Sequence, residues 1–202
     1  MRSPMRALAF IAVLGGVLGL GACAQDPAPE DAYYRLRAAA PARVLATPYL
    51  PGTLEVEKFV ADGLTAGRPI SYSEAGMPHQ VKEYHYHFWT QPPTIMVRDE
   101  MVAFLRAAKV AKAVVTPEMR VGADYELTGR ILRLEKINGA QPRAALDLEL
   151  AVTEIATQRL LFLNTYHQEV AAGGDTVAAA VAALDDGLNA TFTRFLADLT
   201  GQ

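Results

Sequence analysis

The chain has 202 residues, carries a formal net charge of −3 at neutral pH, and is 51% hydrophobic and 20% charged. That length suits one domain with a substantial core, and the acidic balance argues against a nucleic-acid footprint, which would need a basic stripe. Cys23 is the single cysteine, so no disulfide forms within a monomer.

Arg2 and Arg6 precede the apolar run ALAFIAVLGGVLGLGA, which is too short and too glycine-rich for a stable membrane span. It reads as a signal peptide over residues 1–22. Its end, Leu20-Gly21-Ala22-Cys23, places small residues before the cysteine and resembles the lipobox of bacterial lipoproteins. The resemblance implies cleavage before Cys23 and acylation of its sulfur, and Ala24, rather than an aspartate, implies passage to the outer membrane. An ordinary secretory signal needs no cysteine at that point. Beyond this run no apolar stretch approaches the ~20 residues of a membrane helix.

Residues 23–52 are rich in alanine and proline, with Pro27, Pro29, Pro41, Pro48 and Pro51, as suits a tether. Ala32-Tyr33-Tyr34-Arg35-Leu36 is the exception, a candidate short strand. A single domain is expected over residues 53–202. Leu54 to Val60 alternates as a strand, a turn-rich link follows, and a short strand spans Ile70 to Ser73. In VKEYHYHFW, Val81 to Trp89, period two puts Val81, Glu83, His85 and His87 on one face and Lys82, Tyr84, Tyr86 and Phe88 on the other. The aromatic face is expected to pack inward, with Trp89, Pro92 and Pro93 forming a structural strand-to-helix corner. Val97, Met101, Phe104 and Ala108 then fall at helical spacing, and the helix is expected to end near Lys109.

Val110 to Val115 is a short strand or a buried connector. A meander of three strands follows: from Tyr125, with a parity slip between Ile131 and Leu132 that suggests a bulge; through Leu146, Leu148, Leu150 and Val152; and from Leu160 to Val170. Thr176 caps a last helix whose Val177, Val181, Leu184, Leu188, Phe192, Phe195 and Leu199 form one stripe. The expected fold is α+β: a mostly antiparallel sheet with two amphipathic helices packed on one face, in the order β-β-β-α-β-β-β-α.

Signals for catalysis are few. Ser71 and Ser73 are the only serines after Cys23, and neither sits in a Gly-x-Ser-x-Gly elbow. No phosphate loop or dinucleotide glycine pattern occurs, so no cofactor is expected. His85 and His87 on one strand face could reach a single metal ion with His79, Glu83 or His167, but a zinc site needs a third or fourth ligand held by its own partners. A solvated strand face is the favoured reading. Asp185-Asp186 is expected opposite the apolar stripe of the last helix and Asp99-Glu100 largely off that of the first, and both pairs read as solubilising charge.

The ordered set of these pieces resembles the ABC-type transport auxiliary lipoprotein family, the paraquat-inducible protein C type. The residues that carry it are the lipobox, Tyr33-Tyr34-Arg35-Leu36, Val56-x-x-Phe59, Leu64, Arg68-Pro69-Ile70-Ser71-Tyr72, Tyr84 and Tyr86. Trp89-x-x-Pro92-Pro93 and Ala123-Asp124-Tyr125-x-Leu127-x-Gly129-x-Ile131 with Leu134-Glu135 complete the set. The resemblance implies a non-enzymatic docking component at the periplasmic face of the outer membrane. Its implied partners are an ABC permease, its ATPase and a substrate-binding protein of the mammalian-cell-entry (MCE) type that moves lipids or other hydrophobic compounds; a homo-oligomer is compatible with this. Two other readings stand beside it: a lipoprotein serving another envelope machine (a cell-wall synthase or lipopolysaccharide export), and a metal-dependent periplasmic enzyme centred on His85 and His87.

Overall fold

The computed structural model describes residues 29–201. The signal peptide and Cys23 lie outside the described residues. Strands β1 (Ala32–Tyr34), β2 (Leu50–Val56), β3 (Val60–Ala61), β4 (Pro69–Glu74) and β5 (Met77–Trp89) precede helix α1 (Pro93–Ala108). Strands β6 (Ala111–Val115), β7 (Tyr125–Asn138), β8 (Arg143–Glu154) and β9 (Arg159–Ala171) precede helix α2 (Val177–Thr200). Among the described residues all nine strands join one sheet.

The sheet is mixed, which corrects the expectation of a mostly antiparallel one, and the element order differs as well. Hairpin pairing holds only for β4–β5, β7–β8 and β8–β9. Along the other edge of β7 lie three short strands in parallel, each further along: Leu54 opposite Tyr125, Val60 opposite Arg130, Ser71 opposite Glu135. They act as one interrupted strand. Parallel return requires a long crossover, and the connection through β5, α1 and β6 supplies it. The interruption has a local cause: Phe59, expected within one continuous strand, turns into the core and lies against Gly129. The parity slip near Leu132 is a bulge, seen as a register shift between Ile131 and Arg133 in the β7–β8 ladder.

Both helices form where the sequence spacing puts them. Val97, Met101, Phe104 and Ala108 of α1 are buried, as is the whole α2 stripe from Val177 to Leu199. Pro93 opens α1 where a missing N–H costs nothing, and Lys109, in the left-handed region at φ 54°, closes it. Thr176 Oγ1 accepts from the Ala179 N–H at 3.1 Å and caps α2. The helices meet through Phe104 and Phe192, ring centroids 5.5 Å apart, and these rings share one buried core with Leu127, Leu148, Leu150 and Val152 of the sheet. Burying each such side chain stabilises the fold by about 1.5–3 kcal/mol.

Arg98 ties α1 to the turn at Pro117–Met119, donating to Glu118 Oε1 at 2.8 Å and to Asp99 Oδ1 at 2.9 Å. The Arg98 bond, helped by the Thr116 hydroxyl, holds the Glu118 carboxyl at about 2 instead of its ordinary 4.5. A depressed carboxylate stabilises the fold above its unfolded pKa and loses that contribution as pH falls toward its folded one. The melting temperature is therefore expected to decline from about pH 4.5 down to about 2, and Glu118→Gln to flatten that part of a calorimetric pH series.

Candidate functional site

The compact unit begins at Asp31, so the stretch expected to be tether contributes to the fold from that point on. β1 pairs in parallel with the end of β5, Tyr33 opposite Phe88 and Tyr34 opposite Trp89. Chemistry-bearing residues of three origins gather here: this first strand, the β5–α1 corner, and one face of each helix.

The corner is built around Trp89, whose side chain is 1% exposed. Its N–H donates to the Arg68 carbonyl at 2.7 Å, and its own carbonyl accepts from Arg68 Nε at 3.1 Å. The Arg68 guanidinium also lies over the Tyr33 ring, 5.7 Å from its centroid. Next in sequence, the Thr90 N–H donates to the Tyr34 carbonyl at 2.8 Å, and the Pro92 carbonyl accepts from Ile95 and Met96 at 2.9 and 3.2 Å. Pro92 and Pro93 thus turn the chain from strand to helix.

The face assignment of the preceding strand needs correction. Tyr86 is exposed, Tyr84 and Phe88 are half-buried, and His87 has joined the Tyr84 side. Pro69 pairs with Phe88 but Ser71 pairs with Glu83, so two steps along β4 face five along β5. An odd excess inverts the faces beyond it. His87 Nδ1 shares a 3.0 Å hydrogen bond with the Tyr34 hydroxyl and stands edge-on to Tyr84 at 5.2 Å, while Tyr84 stacks on Tyr72 at 4.4 Å. His85 is exposed beside Tyr86, His79 is exposed early in β5, and His167 pairs with Asp147 at 3.2 Å on β8–β9. The candidate ligands are scattered, and among the described residues no three His, Cys, Asp or Glu side chains gather to hold a metal. Ser71 and Ser73 are buried, donating to the Leu134 carbonyl and to Glu135 Oε1.

Residues 35–41 then cross both helices as an extended strap, and here the structure overturns the reading of the helix acids as plain solubilising charge. The Arg37 N–H donates to Asp185 Oδ1 at 2.8 Å, the Ala38 N–H to Glu100 Oε2 at 2.8 Å, and the Ala39 N–H to Asn189 Oδ1. Three consecutive backbone donors are satisfied by side chains of α2, α1 and α2. Burial pushes the Asp185 carboxyl above its usual range, with Glu100 and Asp186 adding to the rise, against the Arg37 N–H that lowers it. Beside the strap lies a cleft of about 280 Å3, lined by Arg35, Leu36, Thr90, Met96, Asp99 and Glu100. It is charged at its rim and smaller than the usual pocket for a drug-sized ligand, about 300–1,000 Å3. A signal for the strap existed in the sequence: Glu100 lies three after Val97 and four before Phe104, and Asp185 four after Val181 and three before Leu188, so both acids border their apolar stripes.

The sequence of residues 34–194 matches the family model of the ABC-type transport auxiliary lipoprotein component. The chain belongs to that family. Its fold is similar to that of a Xanthomonas campestris protein of the DUF330 family, 23% identical with a TM-score of 0.72, covering 84% of this chain and 96% of that one. A second solved structure, an uncharacterized protein, is 17% identical with a TM-score of 0.64, covering 85% of this chain and 99% of the other. Among proteins of curated function, none matches this sequence.

Proposed function

We propose that the protein is an outer-membrane-anchored, non-enzymatic docking component of an ABC transport system of the MCE type, carrying lipids or other hydrophobic compounds between the membranes. The observation that carries this reading is the family match over residues 34–194. The lipobox at Leu20 to Cys23 supports the anchor, with Ala24 favouring the outer membrane. Buried, structurally engaged serines and dispersed histidines favour a binding role over a catalytic one. Trp89, Pro92 and Pro93 serve structure in this reading, and the partners are the permease–ATPase complex and the MCE-type protein.

The anchor is tested by Cys23→Ser in cells labelled with radioactive palmitate. Label and outer-membrane fractionation are expected for the natural protein, and an unlabelled precursor or soluble form for the variant. A variant that stays lipidated in the outer membrane contradicts the assignment.

A further inference from the structure

The strap from Asp31 to Val44 is held unlike the rest of the domain. Only three of its residues pair in the sheet, Leu36 is its one buried side chain, and amides 37–39 are satisfied solely by side chains of α1 and α2. Tyr34 of β1 is half-buried and bonded to His87, and beyond Leu36 the side chains are small or exposed: Ala39, Ala40, Ala42 and Arg43 are exposed, and Ala38 and Pro41 are half-buried. Its Arg37 charge acts on Asp185 of α2, and Arg35 lines the cleft with Asp99 and Glu100 of α1. At Leu45 the attachment changes in kind, since the Leu45 N–H donates to the Ala108 carbonyl at 3.0 Å, the side chain is buried, and the Leu50 N–H follows onto Val110. A three-residue edge strand followed by a segment with one buried apolar side chain and hydrogen bonds that are exposed at residues 37 and 39 and half-buried at 38 belongs toward the low-stability end of a fold, able to open without the core.

We propose that residues 31–44 form a clasp that opens as a unit and gives the domain two distances from its membrane. Each released residue adds at most about 3.3–3.6 Å, so opening extends the maximum reach of the leash by up to about 46–50 Å. Closed, the leash ends at Asp31; open, it ends at Leu45, so the same docking surface can meet a partner deeper in the periplasm. The charge contribution is screened by salt, so the open fraction rises with ionic strength. The two-distance part rests on the proposed lipid anchor at Cys23; the opening itself does not.

The test uses the full lipidated chain in nanodiscs, with two readouts. By hydrogen exchange, the amides of Arg37, Ala38, Ala39 and Thr90 are expected to exchange together, roughly 100-fold faster than those of β8, and faster still in high salt. By energy transfer from a dye at Gln158 to lipid headgroups, two heights are expected. The triple variant Glu100→Ala, Asp185→Ala, Asn189→Ala shifts them to the long one while β8 protection stays. Ala38→Cys with Ala103→Cys, joined by a short bismaleimide across the groove both residues line, leaves only the short height. Strap amides as slow as β8 and unmoved by the triple variant overturn the clasp. Cooperative exchange with one unchanging height overturns the two-distance device. Protein that does not associate with the nanodisc instead counts against the anchor, while exchange still decides whether the clasp opens.

Discussion

Trp89→Ala is expected to cost about 3–5 kcal/mol of stability, lowering the melting temperature of the chain from Ala24 onward by about 6–20 °C. The ring is 1% exposed and sits where β5, β1, Arg68 and the start of α1 converge. Removing it opens a cavity that the Pro92-Pro93 corner is too stiff to fill. The backbone bonds from Trp89 to Arg68 and from Thr90 to Tyr34 survive in principle, so the loss belongs to packing. Thermal and urea unfolding check it, and an unchanged midpoint would place Trp89 outside the core.

Gly129→Val is expected to be nearly as damaging, by about 1–3 kcal/mol or more. A Cβ at position 129 would meet the Phe59 ring at 2.6 Å, well inside contact distance. Phe59 is 1% exposed and pinned between β2 and β3, so it cannot swing clear without unpairing Val60 from Arg130. Calorimetry on Gly129→Val, alone and with Phe59→Ala, separates overlap from loss of the glycine. The double variant should recover part of what the first substitution costs, and a simple sum of the two losses would contradict the steric account.

The helices were legible because an apolar stripe at helical spacing has one interpretation, and the bulge near Leu132 because a parity slip in an alternating strand has few others. Pairing direction was not legible. Alternation reports which residues face the core and is silent on which strand lies alongside, so β2, β3 and β4 gave no sign that they run parallel to β7. The His87 reversal arose from the same limit, since a bulge between Glu83 and Phe88 preserves residue types while exchanging faces. The strap escaped because alanine and proline look the same in a tether and in an extended segment clasped by side chains. The acids that hold it, Glu100 and Asp185, differ from ordinary surface charge only in bordering their stripes.

Partnership with an ABC transport system is tested by chemical cross-linking in intact envelopes, followed by affinity capture of the lipidated protein and mass spectrometry. An MCE-type protein or an ABC permease is expected to be enriched, with cross-links on the strap, the β5–α1 corner or the helix faces. Capture of a cell-wall synthase or a lipopolysaccharide export component, with no transporter subunit, would contradict that partnership.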